Sequence, residues 1–99
     1  VTKMARLSHK ITHWQPAKGK VKGKVDTYWA IQANRDTLFD IHNTYKKTWG
    51  YEWYELVRCG MYDTAKMVLA NRGKGECLRI AMQCIDDIAY LEKQMEVQK

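Results

Sequence analysis

The sequence has few of the residues that interrupt helices and strands or cross-link a fold. It has one proline, six glycines and three cysteines among 99 residues. Such low proline and glycine contents exclude collagen-like and low-complexity chains. Three cysteines cannot all pair with one another within the chain, which argues against a disulfide scaffold and favours a reducing compartment. We therefore expect a cytoplasmic protein.

Long apolar runs are missing as well. A typical run, residues 28–31, ends after four residues, whereas a membrane span needs about 18. Basic residues at positions 3, 6 and 10 imitate the start of a secretory signal, but residues 11–24 hold no apolar core for one. The sequence predicts no export and no membrane partner.

Residues for nucleophilic or metal chemistry are scarce. Ser8 is the only serine, and it lies in a basic segment with no folded core to orient a histidine beside it. No Cys-x-x-Cys pair is present, and His9 with His13 makes only half of a zinc site. Two acidic pairs, Asp36 with Asp40 and Glu52 with Glu55, have basic neighbours, which is typical of solvated helix surfaces. We expect a non-enzymatic protein without a metal or another cofactor.

The remaining cysteines and His42 fit structural roles. Cys77 and Cys84 are seven residues apart, two turns of one helix, and we expect them to pack as small apolar residues. Cys59 is expected at a helix C-terminus, where the helix dipole opposes thiolate formation. His42 is expected near the core.

Acidic residues are absent from the first 24 positions. This segment carries seven basic residues, whereas residues 25–99 carry ten basic and eleven acidic ones. The formal charge of +6 is therefore the sum of +7 and −1. Such asymmetry is typical of an arm that binds polyanions, attached to a near-neutral body. We predict a basic arm over residues 1–24 and a helical domain over residues 25–99.

Lysine occupies every second position from residue 18 to residue 24. In an extended chain the four ammonium groups would lie on one face about 6.6 Å apart, which suits a phosphate backbone. Lys74 stands between two glycines before the last predicted helix, whose N-terminal amides attract anions. A solvated terminus or a contact with an acidic protein is the alternative for the arm. The predicted nucleic-acid-binding residues are Lys10, Lys18, Lys20, Lys22, Lys24 and Lys74.

Helical periodicity dominates the body of the chain. Thr37 marks the predicted start of one helix and Gly50 its end. A helical hairpin is predicted next, over residues 51–59 and 63–70, with Asp63 as the cap of its second helix. These elements indicate a mainly α fold, a small domain of three to four helices that carries the basic arm.

The last helix has the clearest pattern. Glu92 stands where an unbroken heptad would place an apolar residue, which disfavours a long coiled coil. Packing against the other helices is therefore predicted. The apolar positions step by three and four residues: Leu78, Ala81, Ile85, Ile88, Leu91 and Met95.

Residues 25–33 allow two interpretations. Val25, Thr27, Trp29 and Ile31 occupy every second position, as residues on one face of a strand do, but helical spacing also fits this stretch. If the stretch is a strand, residues 10–14 could pair with it, and the fold would be α+β with a short N-terminal hairpin. The sequence leaves this choice open.

Aromatic residues crowd positions 45–62 in greater number than one helix face can bury. Tyrosine and tryptophan anchor many protein interfaces, and they also stack on unpaired bases. Glu52 and Glu55 favour a protein partner at this patch, and packing in the core is the alternative. The predicted protein-interface residues are Trp49, Tyr51, Trp53, Tyr54 and Tyr62.

Two functions follow from these patterns. In the first, a binding protein contacts DNA or RNA through the arm and a protein through the aromatic patch. In the second, a small phage or mobile-element accessory protein docks on a host nuclease-helicase, polymerase or ribosome and modulates it without binding nucleic acid itself. Neither function involves a small-molecule substrate. Salt-sensitive binding to DNA separates the two.

Overall fold

Four α-helices joined by short turns make up the described part of the chain. The computed structural model describes residues 23–97, and these residues contain no strand. The mainly α prediction is confirmed. We number the helices α1 (Lys24–Trp49), α2 (Glu52–Arg58), α3 (Tyr62–Arg72) and α4 (Gly75–Val97). Of the predicted arm, residues 1–22 lie outside the described residues, and Lys24 is the first residue of α1.

The two long helices, α1 and α4, lie antiparallel. Tyr28 near the start of α1 and Met95 near the end of α4 line one groove, while Trp49 lies beside Lys74 at the opposite end. At 1.5 Å per residue, α1 is about 39 Å long, which matches the 40 Å long axis of the molecule. These two helices therefore set its length.

The start of α1 differs from the prediction. Thr37 lies inside the helix, where its Oγ1 donates a hydrogen bond to the Ala33 carbonyl oxygen at 3.1 Å. Thr27 Oγ1 donates in the same way to the Gly23 carbonyl oxygen at 2.7 Å. Because threonine hydroxyls can bond to the carbonyl four residues back, Thr37 continues the helix instead of capping it.

The strand interpretation of residues 25–33 is wrong, since these residues belong to α1. A strand would place residues 25, 27, 29 and 31 on one face. Two steps along a helix rotate a side chain by about 200°, so in α1 these residues point alternately to opposite sides. Thr27 and Ile31 are buried, whereas Val25 and Trp29 are exposed. The alternation therefore reports a helix with two different faces, and a hairpin that uses this stretch as a strand is excluded.

The helices α2 and α3 form the predicted hairpin. Gly60 in its turn has a φ of 80°, a left-handed conformation that favours glycine. Gly50, which ends α1 as predicted, has a φ of 71°. Asp63 is not the cap of α3, because Met61 precedes the first helical residue and Asp63 lies in the first turn. There its carboxylate faces the positive end of the helix dipole.

The core has a large part and a small part. The large part lies where α2 and α3 pack on the α1 and α4 pair, and the small part lies between α1 and α4 alone. The small part consists of Ala30, Ile31 and Leu91 with Met95 beside them. The large part consists of Leu38, Ile41, Trp49, Trp53, Val57, Ala65, Leu69, Ile80, Ala81, Cys84, Ile85 and Ile88. The part of the chain that the structure describes is thus a four-helix bundle at one end and a two-helix stem at the other.

The apolar face predicted for α4 is confirmed. Its central residues, from Ala81 to Leu91, are buried at the predicted spacing, and Leu78 and Met95 are half-buried at its ends. Among the described residues, no helix combines the length and the apolar character that crossing a membrane would require.

Candidate functional site

The aromatic residues predicted to form an interface divide into core and surface. Trp49 is buried, with its ring stacked on that of Tyr45 at 4.2 Å, and Trp53 is 0% exposed. Both rings lie in the core, which is the alternative that the sequence left open for this patch, and neither offers exposed area to a partner. Tyr51 is 62% exposed, and Tyr54 is half-buried.

A cluster of four rings lies on the surface where α1 meets α2. The His42 ring stacks on Tyr54 with centroids 4.3 Å apart and planes 4° apart. The ring centroid of Phe39 lies 6.3 Å from that of Tyr54, and the ring centroid of Tyr51 lies 6.3 Å from that of His42. Residues three apart share a helix face, which explains how α1 contributes Phe39 with His42. We call these four residues, Phe39, His42, Tyr51 and Tyr54, the aromatic surface.

A surface cleft of about 460 Å³ adjoins the aromatic surface and shares Tyr54 with it. Its apolar lining comes from three core residues, Leu38, Val57 and Ile88. Its polar lining comes from Arg35, Tyr54, Arg58, Cys59, Gly60, Tyr62 and Glu92. We call this the arginine cleft. It has the size of a ligand pocket, and its lining combines an apolar part with several polar groups.

Glu92 organises one wall of the arginine cleft. Its Oε1 accepts a hydrogen bond from the Tyr62 hydroxyl at 2.6 Å, and its Oε2 accepts one from Arg35 Nη2 at 3.1 Å. One carboxylate thus joins α1, α3 and α4. This arrangement gives a physical reason for a glutamate at a position where the heptad pattern of α4 would place an apolar residue.

The Tyr62 hydroxyl is held in its neutral form. Burial and the hydrogen bond to Glu92 raise the pKa of Tyr62 from 10.0 to about 12. Ionised tyrosine would lose the donated bond and face the Glu92 carboxylate as a like charge, so the neutral hydroxyl is favoured. Tyr62 therefore acts as a fixed donor that orients Glu92.

Removing the Tyr62 hydroxyl is expected to lower the stability of the fold. Tyr62→Phe is expected to lower the free energy of unfolding by about 1–2 kcal/mol, because a partly buried charge-assisted hydrogen bond is lost. The wild-type advantage is full below pH 10 and declines as the pH rises from 10 towards 12, since the folded pKa is the higher one. Urea unfolding at several pH values measures this, with Tyr51→Phe as the exposed control. Equal stability of wild type and Tyr62→Phe at pH 8 would contradict it.

The neutral form of His42 is favoured in the same region. Burial, followed by the charge of Lys46, lowers the pKa of His42 from 6.5, and Glu55 opposes this shift. Its Nδ1 is buried and finds no hydrogen-bond partner among residues 23–97. A proton on this ring would introduce a charge into the stack with Tyr54.

Acid is therefore expected to destabilise the protein through His42. Stability contributed by neutral His42 is full above pH 6.5 and is lost as the pH falls, because the unfolded chain binds the proton more tightly. Unfolding midpoints between pH 7.5 and pH 5 should fall more steeply for wild type than for His42→Phe, which keeps a ring at this place. His9 and His13 are common to both proteins. Parallel midpoint curves would show that His42 has no part in the pH dependence.

Arg58 gives the cleft an available positive charge. Its side chain is 66% exposed and lies 3.7 Å from Glu55 in an exposed ion pair. Such pairs contribute little to stability, so Arg58 can exchange Glu55 for another acceptor at small cost. The cleft can therefore accept a side chain with an apolar body and an acidic or polar end.

The structure does not bring the described lysines of the predicted nucleic-acid site together. Lys24 begins α1, and Lys74 lies beside Trp49 at the other end of that helix, about 38 Å away at 1.5 Å per residue. Both are exposed. The other members, Lys10, Lys18, Lys20 and Lys22, lie outside the described residues.

A carboxylate of the chain itself competes with an external anion for the site predicted near Lys74. Glu76 in the first turn of α4 is hydrogen-bonded to Arg79, and that bond lowers the pKa of Glu76. A carboxylate already stands at the helix N-terminus, where it interacts with the positive end of the dipole. Lys74 does have Arg72 beside it, in a shallow groove with Thr44 and Thr48 of α1.

The cysteines occupy three different environments. Cys84 is buried in the core, as predicted. Cys77 is half-buried and accepts a hydrogen bond from the Tyr45 hydroxyl, with 3.3 Å between oxygen and sulfur. Cys59 is exposed directly after α2. Within residues 23–97, no three histidine, cysteine or acidic side chains are placed to hold a metal ion. His9 and His13 lie outside these residues.

Sequence reasoning missed Phe39 and underestimated Arg35 and Glu92. Had α1 been assigned its full length, the three- and four-residue spacing of Arg35, Phe39 and His42 would have placed them on one face. The break in the α4 heptad at Glu92 was the other signal for this site. A carboxylate on the side of a helix that faces the core requires a hydrogen-bond or ion-pair partner.

Comparisons of the chain with protein-family models, with curated proteins and with solved structures find no match.

Proposed function

We propose that this chain is a non-enzymatic binding protein that docks on a protein partner through the aromatic surface and the arginine cleft. In this proposal the lysines of residues 18–24 contact the phosphates of a nucleic acid near that partner. The observation that supports the docking function most strongly is the continuity of the cleft with exposed aromatic rings through Tyr54.

The form of the site favours a protein over a small molecule. Phe39 and Tyr51 are half or more exposed and lie outside the cleft, so a small ligand seated in the cleft would leave both uncovered. A protein can cover the rings and insert one side chain beside them. Tyrosine and arginine are the residue types enriched where interface energy concentrates.

The rigidity of the site also supports docking. Tyr54 is held by its stack on His42, and Arg35 and Tyr62 are held by Glu92. Side chains that are already ordered lose little conformational entropy on binding, which improves affinity for a given contact area. A partner would therefore meet a surface that is largely preformed.

A pull-down from nuclease-treated cell lysate tests the docking function. The variant is Tyr51→Ala with Arg58→Glu, two exposed positions of the site. The matched control is Met67→Ala with Lys93→Glu, which makes the same charge change at exposed positions of α3 and α4. We expect a discrete protein to bind the wild type and the control. The site variant should retain roughly a tenth of that protein or less, as expected for the loss of interface anchors.

Two results would reject this docking function. One is equal capture by the site variant and by the control, which would move the interface elsewhere. The other is capture that disappears on nuclease treatment, which would mean that nucleic acid alone links the proteins.

Docking without nucleic-acid binding is the second candidate. It is favoured by the separation of Lys24 from Lys74 and by the net charge of −1 over residues 25–99. An accessory protein of a phage or mobile element that modulates a host nuclease-helicase, polymerase or ribosome would have this character. Binding to naked DNA that strengthens as salt falls supports the first candidate, and its absence supports the second.

A further inference from the structure

The stem of the molecule carries an apolar face directed away from the core. Val25, Tyr28 and Trp29 in the first turns of α1 are 69%, 47% and 62% exposed. The rings of Tyr28 and Trp29 contact each other edge to face, with centroids 5.2 Å apart. We call these three residues the outer face of α1.

The outer face lies where the fold is thinnest. Behind it, the small core of Ala30, Ile31 and Leu91 is enclosed by α1 and α4 alone, because the α2 and α3 hairpin packs on the other end. Apolar residues on opposite sides are characteristic of a helix that is buried between two layers. The first two turns of α1 have one such layer, α4, and lack a second among residues 23–97.

We propose that residues 4–14 of the same chain cover the outer face by packing on it as an amphipathic helix. Four apolar residues of this segment follow three- and four-residue steps, which places them on one side of a helix. They are Met4, Leu7, Ile11 and Trp14. These four large side chains are enough to cover the three that the outer face presents.

The connection between the two segments is long enough for this packing. Residues 15–23 contain the only proline and two glycines, a composition that ends one helix before another begins. Nine extended residues reach about 30 Å, whereas two antiparallel helices in contact lie about 10 Å apart. Residue 14 can therefore lie beside Val25, with residue 4 further along α1.

The charges of the two segments are complementary. Residues 1–14 carry Lys3, Arg6 and Lys10 and no acidic residue. Exposed Asp26 and Asp36 border one edge of the outer face of α1, and exposed Lys24 and Arg35 border the other. Opposite charges along the edges of two packed helices set their orientation, and here the basic segment can pair with the edge that carries Asp26 and Asp36.

Tethering favours this occupant further. A segment joined by a short linker acts at an effective concentration in the millimolar range, while a second copy of the chain must compete at its own concentration. Intramolecular packing therefore precedes dimerisation at the outer face.

One consequence rests on the proposed function. If residues 4–14 are docked, Lys18, Lys20 and Lys22 belong to a loop fixed at both ends, and Lys24 begins the helix that follows it. A fixed loop loses less conformational entropy on binding phosphate than a free terminus does. The packing itself requires no nucleic acid, so it can be tested without one.

Hydrogen exchange of the full chain tests the packing. The variant is Leu7→Asp with Ile11→Asp, which places charge on the apolar side of the segment. The control is His9→Asp with His13→Asp, which places the same residues on the opposite side of the same helix. Amides of residues 24–31 should exchange at least tenfold faster in the variant than in wild type and control. Amides of residues 80–91 should be alike in all three, which shows that the bundle remains folded.

A reciprocal substitution identifies the contact. Trp29→Asp should speed exchange in residues 4–14, because coupling between two packed segments acts in both directions. Equal exchange of residues 24–31 in wild type and in the Leu7 and Ile11 variant would overturn the proposal. Protection of residues 24–31 that rises with protein concentration, together with a dimer in sedimentation, would assign the outer face to a second copy and overturn it as well.

Discussion

Trp53→Ala is expected to lower the free energy of unfolding by about 3–5 kcal/mol, the range for removing a large aromatic side chain from a core. Trp53 is 0% exposed and belongs to the large core. Its ring meets His42 and Tyr54 edge to face, at 6.3 Å and 5.8 Å between centroids. The cavity would lie directly beneath the aromatic surface. Urea unfolding followed by circular dichroism measures the loss.

Two further variants locate the origin of this loss. Trp53→Phe should cost far less than alanine, because it keeps an aromatic body and removes an indole N–H that has no hydrogen-bond partner among residues 23–97. Tyr51→Ala, at a 62% exposed position, should change stability by no more than about 0.5 kcal/mol. A stable, fully folded Trp53→Ala protein would mean that Trp53 lies at the surface and would restore it to the interface.

Replacing four lysines by alanine is expected to have the largest effect on nucleic-acid binding. These are Lys18, Lys20, Lys22 and Lys24. If each contacts one phosphate of a DNA duplex, their loss should reduce the slope of log affinity against log salt by roughly 3.6. At 0.1 M salt this corresponds to a loss on the order of 10³-fold in affinity. Fluorescence anisotropy with a labelled duplex over a salt series gives both values.

The matched control removes the same charge from elsewhere. Alanine at Lys46, Lys47, Lys93 and Lys99 also lowers the formal charge from +6 to +2. It should reduce affinity much less, because these lysines do not follow one another along a single extended face. Equal losses in the two variants would mean that net charge alone attracts DNA. No measurable binding by wild type would favour the docking function without nucleic acid.

The helical elements with the strongest periodicity were predictable. For α4, six apolar positions at regular spacing were enough, because a single face of one helix decides burial and the pattern is local. The hairpin was predictable through Gly60, since a tight left-handed turn has a local requirement for glycine. The helix caps were less predictable. Asp63 was assigned to the N-cap of α3 although it lies in the first turn, because acidic residues are favoured at both positions.

The candidate site was predictable in part. Clustering of aromatic residues pointed to positions 51 and 54, but nothing local distinguished these tyrosines from Trp49 and Trp53. Burial of a ring depends on which side of α2 meets α1, and that is set by packing between distant segments. The first half of α1 posed the same difficulty, because a helix with two apolar faces can carry apolar residues at every second position, the sequence pattern that is also typical of a strand.

Three features could be predicted without a structure: the helical character of the chain, the separation of a basic segment from a near-neutral body, and the apolar face of α4. Each of these depends on neighbouring residues or on composition. Helix packing set the rest: Glu92 joins Arg35 to Tyr62, a cleft opens beside Tyr54, and two tryptophans are core while two tyrosines are surface. The reason is physical: these contacts join residues up to 57 positions apart, and their partners are chosen by the packing of whole helices.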